Sequence, residues 1–383
     1  MRISYEIRDR LMRKSSNTLG LCFQCGSCTA TCPLSVTSSA YIRKIIKYAQ
    51  YGVIPEDEKI IEILWRCTTC GMCVSSCPRG VDIPSIIRGF REILSERRIQ
   101  DHRITETLWR LYEAGNPWGY GSGEIKKFRL SMKDLFEEKT SHKPDYIIYS
   151  CCSTVIDPVS QKMTRSVATL LKRLGFNIKI LDPMCCGDVI YEAGEIAFLE
   201  EYAQKIFDVI SRLDSTLITV SPHTHYMLKR VYPELGVKTN VEIIHYTQIL
   251  KELIDKNKIK LRSSDRETVV TYHDPCYLAR YLNIVEEPRS VIENIPGVKF
   301  VEMEHSRENT LCCGAGGGRI FSEETGVRLA RYRLKEADDT GANMMTTACQ
   351  FCVRMFVDEM KIFSSKYINN ITDLSELILS RLE

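Results

Sequence analysis

Cysteine constrains this chain more than any other feature: there are seventeen in 383 residues, and none is stray. Eight lie before residue 80, four between 151 and 186, and five between 276 and 352. The opening Met1-Arg2-Ile3-Ser4-Tyr5-Glu6 lacks the apolar core of a secretory signal. No apolar run approaches the roughly 20 residues that cross a bilayer. The expected location is the cytoplasm, with a peripheral place on the cytoplasmic face of a membrane left to a partner. In a reducing compartment, clustered thiols serve metal or redox chemistry more readily than a disulfide framework. A net charge of +3, scattered along the chain, gives no nucleic-acid footprint.

Cys22, Cys25, Cys28 and Cys32 are spaced C-x2-C-x2-C-x3-C ahead of Pro33, and Cys67, Cys70, Cys73 and Cys77 repeat the run ahead of Pro78. Such short spacings let backbone amides fold around a 4Fe–4S cube, and this is the bacterial ferredoxin run. The fourth cysteine of each run ligates the other cluster. One 4Fe–4S cluster is therefore assigned to Cys22, Cys25, Cys28 and Cys77, and a second to Cys67, Cys70, Cys73 and Cys32. Structural zinc would want paired CxxC thiolates, and it explains neither the third cysteine nor the trailing proline, twice over. Gly26 and Gly71 hold matching places where a tight turn excludes a Cβ.

Apolar residues at 42, 45, 46 and at 61, 64, 65 have helical spacing. Residues 1–95 thus read as an α-helical ferredoxin-type module with two clusters. Residues 96–143 form a connector, helical over Thr105 to Glu113, with a loop from Gly115 to Gly123. Trp118 in that loop either caps a cluster or packs between domains.

From Asp145 the pattern becomes β-branched runs alternating with helices. Tyr146 to Tyr149 is a strand ending at Cys151-Cys152. Asp157 caps a helix that opens on Pro158 and closes at Gly175. Strand Ile178 to Leu181 leads to Cys185-Cys186-Gly187. After a helix near Glu195 to Leu213, strand Thr216 to Val220 leads to Ser221-Pro222-His223-Thr224. The plan then repeats, with strand Thr268 to Tyr272 before Cys276 and strand Val298 to Met303 before Cys312-Cys313-Gly314. A helix near Ser322 to Glu336 is followed by strand Met344 to Thr347 before Cys349 and Cys352.

Strands alternating with crossover helices imply parallel sheets, with ligands at the carboxyl ends of the strands. The fold class is therefore α plus α/β: a helical ferredoxin domain followed by duplicated Rossmann-like half-domains, 144–258 and 259–383. Ser221 and Thr224 stand where the second copy has Cys349 and Cys352, and hydroxyls are poor ligands for a sulfur cluster.

The pattern C-x35-CCG-x34-C-x2-C resembles the CCG domain of heterodisulfide reductases. Behind a helical two-cluster module, the whole chain resembles the D-type component of heterodisulfide reductase. It is similar also to the iron–sulfur subunits of glycolate oxidase, lactate-utilisation and anaerobic glycerol-3-phosphate dehydrogenase systems. The resemblance implies that Cys276, Cys312, Cys313, Cys349 and Cys352 hold a noncubane 4Fe–4S cluster that splits a disulfide. It leaves Cys151, Cys152, Cys185, Cys186 and His223 as candidate ligands for an additional group in the first copy, or for none.

The run Gly314 to Gly318 lacks the Lys-Ser or Lys-Thr of a phosphate loop, so it is assigned to close approach of the backbone to the cluster, with Arg319 near an anionic substrate. His273 and Asp274 either relay protons to a departing thiolate or orient the Cys276 loop. No flavin or nicotinamide motif is present. A partner is therefore required: a flavoprotein, another ferredoxin or a membrane cytochrome b. The alternative to disulfide reduction is a non-catalytic wire from a flavoprotein dehydrogenase to a quinone pool.

Overall fold

Helices dominate the first module because its apolar residues recur every three or four positions. The computed structural model describes residues 3–36, 41–136, 143–263, 267–322 and 328–383. Four main helices run Tyr5–Lys14, Ile42–Tyr51, Glu58–Arg66 and Ile83–Glu96. Ser4, Asp57 and Asp82 cap three of them with side-chain oxygens. Ile42, Ile45 and Ile46 are buried as expected. In Glu58–Arg66 the inward face is Ile60, Ile63, Leu64 and Trp65, while Ile61 is only half-buried. Among the described residues no strand precedes Tyr146. The connector supplies helices His102–Ala114 and Ser122–Ser131, so the second begins inside the expected loop. That loop is organised by Asn116, whose side chain bonds the backbone of Ala114, Trp118 and Tyr120.

Two four-stranded parallel sheets follow. The first contains β1 (Tyr146–Tyr149), β2 (Ile178–Ile180), β3 (Thr216–Thr219) and β4 (Ile243–His245), in the order β2-β1-β3-β4. The second contains β5 (Thr268–His273), β6 (Val298–Phe300), β7 (Met344–Thr347) and β8 (Asn370–Asp373), in the order β6-β5-β7-β8. The duplication therefore extends to the register: Tyr146 pairs with Thr216 as Val270 pairs with Met344.

Some boundaries differ from those the sequence pattern implies. β6 stops at Phe300 rather than Met303, and the helix expected near Ser322 to Glu336 runs Leu329–Asp339, with 323–327 outside the described residues. The fourth strand of each sheet has no clear signal in the sequence. Ile-Ile-His and Asn-Ile-Thr-Asp are too short and too polar to announce a strand, and they take their conformation from the neighbours they pair with.

The apolar cores do not respect the module boundaries. One runs from Leu11 through Phe90 and Tyr202 to Tyr277, and a second joins Ile148 and Leu171 of the first copy to Val270 and Ile292 of the other. Across that second core Tyr246 Oη–H donates to Asp373 Oδ2 at 2.7 Å. Asp373 also caps the helix Leu374–Arg381 through Ser375 N–H at 2.8 Å. Burial pushes this carboxyl up to about 7. A folded pKa above the unfolded value of about 3.9 gives stability that is complete at low pH and is lost as pH rises through about 7. Asp373→Asn, which keeps the cap, is expected to melt above the parent at about pH 8 and to lose that advantage by about pH 4; calorimetry at the two pH values checks it.

Candidate functional site

Each ferredoxin-type run turns into a short helix through its glycine. Gly26 (φ 92°) and Gly71 (φ 80°) precede Ser27–Ala30 and Met72–Ser75, in the left-handed region that side chains avoid. Cys28 interacts with Cys22, Cys25 and Cys77, whereas Cys73 interacts with Cys70, Cys67 and Cys32. The fourth cysteine of each run thus lies with the first three of the other. Amides reach the sulfurs, Thr69 N–H to Cys67 and Val81 N–H to Cys77, each at 3.4 Å. Burial pushes Cys67 up to about 11 and raises Cys73 well above the ordinary thiol range. Buried thiols of this kind ionise only beside a cationic group, and the donor set fits iron–sulfur clusters.

The five thiols of the second copy stand at the carboxyl ends of β5, β6 and β7, all buried. Cys70 of the ferredoxin module and Cys276 both hydrogen-bond to Cys312. Cys352 Sγ–H donates to Cys313 Sγ at 3.2 Å, and Cys349 bonds to Cys352 and to His223. The hydrogen bond from Cys276 lowers Cys312, and that from Cys312 takes Cys313 well below the ordinary thiol range. Burial alone would raise Cys349, but Cys352 and His223 reverse it to about 5. Cys276 and Cys352 move up instead. A buried thiol set shares charge in this alternating way when ionising every member would be too costly.

In the first copy, Cys152 bonds to Cys151 and Cys185. Cys151 settles at about 7, chiefly through Cys152, with Ser153 Oγ–H donating at 3.4 Å. Gln350 of the second copy reaches across to Cys151 Sγ at 3.7 Å and to Ser221 Oγ at 2.8 Å. A cavity of about 30 Å³ is lined by Cys151, Cys152, Cys185 and Cys186. It shares Trp118, Ile320 and Phe351 with an outer groove of about 670 Å³. Trp118, leaning on Phe321 at 4.8 Å, both packs between modules and covers these thiols.

His223 faces the other copy. Its Nδ1 lies 3.0 Å from Asp188 Oδ2, its ring stacks on Tyr277 at 4.1 Å, and it bonds to Cys349. Burial disfavours its charge most, yet Asp188 and Cys349 together raise it well above the usual imidazole range. His273 is the opposite case. Burial and Arg333, whose Nε–H donates to its Nδ1 at 3.0 Å, push it far down. The neutral ring keeps its proton on Nε2, and one ring nitrogen lies within 4.8 Å of the Cys313 and Cys352 sulfurs. Asp274 is held by Arg289 at 2.7 and 2.9 Å and accepts Arg307 N–H at 2.8 Å. Those bonds fix the Asp274 carboxylate in place two residues before Cys276. Arg319 is buried and borders two grooves.

What joins the modules leaves almost no mark on the sequence. Arg91 donates to the carbonyls of Leu64 (2.8 Å), Cys67 (2.7 Å), Glu192 (2.7 Å) and Gly317 (3.2 Å), so one guanidinium touches all three. Its one signal is a charge on the apolar stripe of Ile87, Phe90 and Leu94. A Cβ on Gly317 would sit 2.1 Å from Cys67 O, and one on Gly316 2.5 Å from Thr68 O. The glycine run therefore serves close approach to the ferredoxin backbone. Arg280 completes the seam, donating to Cys70 O (2.5 Å) and to Glu308 O and Thr310 O (both 2.8 Å).

The family described as a cysteine-rich domain matches residues 146–229 and again 270–357, and that of a 4Fe–4S dicluster domain matches 18–81. The chain thus matches a 4Fe–4S dicluster domain followed by two copies of a cysteine-rich domain. It is similar to the "Probable iron-sulfur-binding oxidoreductase FadF" of Bacillus subtilis, 31% identical over 75% of this chain and 41% of that one. It is similar also to the "EtfAB:quinone oxidoreductase" of Syntrophomonas wolfei, at 29% over 70% and 39%. A third relative is the D-type component of the dihydromethanophenazine:CoB--CoM heterodisulfide reductase of Methanosarcina acetivorans, at 32% over 60% and 59%. The chain spans about two-fifths to three-fifths of these relatives' lengths.

The dicluster domain and the second cysteine-rich domain meet backbone to backbone, so Gly317→Ala is expected to cost at least about 2 kcal/mol through the left-handed φ and the overlap with Cys67 O. Gly115→Ala, a left-handed cap with open space around it, is expected to cost less; denaturant melts of the two variants check the difference.

Proposed function

We propose that this chain is an iron–sulfur oxidoreductase that carries electrons from a redox partner to a disulfide. Cys22, Cys25, Cys28 and Cys77, and Cys67, Cys70, Cys73 and Cys32, would hold the two 4Fe–4S clusters, and Cys276, Cys312, Cys313, Cys349 and Cys352 a noncubane cluster. Those groups supply storage and release of single electrons. The observation that carries the reading is the Cys70–Cys312 contact, where a ligand of the dicluster domain meets the five-thiol set. The chain's own residues do the positioning. Arg91 and Arg280 clamp the carbonyls of Cys67 and Cys70. His223, held by Asp188, faces the Cys349 sulfur, and a ring nitrogen of His273 lies beside the Cys313 and Cys352 sulfurs. The first copy's thiols, fronting the outer groove through Trp118 and Phe351, mark the side from which a thiol or disulfide arrives.

A second reading is a wire from a flavoprotein dehydrogenase to a quinone. The complete burial of the five-thiol set favours it, as does the name of the Syntrophomonas relative. Among the described residues no helix is long and apolar enough to cross a membrane, so a quinone-reactive or cytochrome b partner would sit outside this chain and hold it peripherally.

Anaerobically purified protein given reduced methyl viologen is expected to turn over cystine or glutathione disulfide. Oxidation by a soluble quinone alone would favour the wire, and zinc in place of roughly four irons per cluster would overturn both. Within the first reading, Cys312→Ser or Cys313→Ser should abolish turnover together with one paramagnetic signal, leaving the dicluster signals intact. Cys185→Ser should spare that signal. Equal loss from both copies would remove the assignment of one active cluster.

A further inference from the structure

Of the seventeen cysteines only Cys25 is exposed. The chain around it is unlike the rest of the surface. Residues 1–50 hold eight basic residues and two acidic ones, a surplus of six in a chain whose total charge is +3.

On the helix Ile42–Tyr51, Arg43, Lys47 and Tyr51 recur every fourth residue along one exposed face. Arg43 lies over the cysteine turn: a Cβ on Gly26 would be 3.7 Å from its Cδ, and its N–H donates to Thr29 Oγ1 at 2.9 Å. Gln50, on the same helix, donates to Cys22 O at 2.9 Å and accepts from Gln24 at 3.0 Å, fixing the Cys22–Cys25 loop against it. Leu21, Phe23 and Tyr51 therefore flank the exposed thiol at 43%, 62% and 51% exposure. Tyr5 joins them at 70%, because Gly52 packs on Ser4. Among the described residues Arg13, Arg43 and Lys47 form no ion pair, whereas Lys44 is paired with Asp57.

We propose that this face docks the electron-transfer partner, a protein whose redox cofactor lies at an apolar edge ringed by carboxylates. The inference rests on the reading of Cys22, Cys25, Cys28 and Cys77 as cluster ligands. Charge complementarity selects the occupant. Unpaired cations around an apolar centre steer an acidic partner and raise its encounter rate, and the exposed ligand gives that partner the shortest approach to the buried sulfurs behind it. Each encounter moves one electron, oxidising the partner and reducing this chain, with no bond made or broken.

The test is stopped-flow reduction of the iron-loaded full chain by a reduced, acidic plant-type 2Fe–2S ferredoxin. The double variant Arg43→Glu with Lys47→Glu is expected to lower the second-order rate constant about tenfold or more and to flatten its dependence on salt. Its iron content and its fully reduced spectrum under excess dithionite should match the parent. Phe23→Ser is expected to slow reduction while keeping the salt dependence. Unchanged rates in the double variant would overturn the proposal. So would an unchanged ferredoxin rate combined with loss of binding to phosphatidylserine-containing vesicles, which would make the face a lipid contact. A parent protein that holds no iron overturns the functional reading beneath it.

Discussion

The buried guanidinium of Arg91 is the contact on which the arrangement of the whole chain depends. It sits on a ferredoxin-module helix and donates to a carbonyl beside the second cysteine run, to one in the first cysteine-rich domain and to one in the glycine loop of the second. Glu192 lies within reach of Arg88 at 3.1 Å and of Arg91 at 3.7 Å, so one buried carboxylate faces two buried guanidiniums. Removing one partner from such a group leaves several buried acceptors unsatisfied, which is far more costly than any exposed ion pair in the structure. Module placement therefore rests on backbone carbonyls, which any sequence supplies, read by one side chain that only arginine's fork can provide.

The two cysteine-rich domains share a sheet order and a register, and one difference in their donor sets lies at the ends of their third strands. Where the second has Cys349 and Cys352, the first has Ser221 and Thr224, and the Ser221 hydroxyl accepts from Gln350. Loss of two thiols did not leave the first copy idle. It contributes His223 and Asp188 to its sister's Cys349 and takes Gln350 in return. The duplicated halves behave as one site with two unequal walls.

Much of this is legible in the chain itself. Cysteine spacing, the Asp157-Pro158 helix start and the β-branched runs dictate local geometry within a few residues, and β1, β3 and β7 fall where those signals put them. The short edge strands β4 and β8 do not announce themselves, because their conformation comes from the neighbouring strand. The contacts of His223, Arg91 and Arg280 are equally hidden, since each partner lies in another module and leaves no periodic trace. His273 shows a further limit: its proximity to Cys276 suggests proton transfer, whereas its state depends on Arg333, sixty residues away in sequence.

The glycine loop has a consequence for how the molecule is built. At Gly316 and Gly317 the backbone lies so close to Cys67 and Thr68 that a methyl group does not fit. A seam that excludes a methyl group leaves neither backbone room to shift without the other. The positions of the Cys67 run and of the Cys312-Cys313 pair are therefore fixed together, as one dimension of the molecule rather than two.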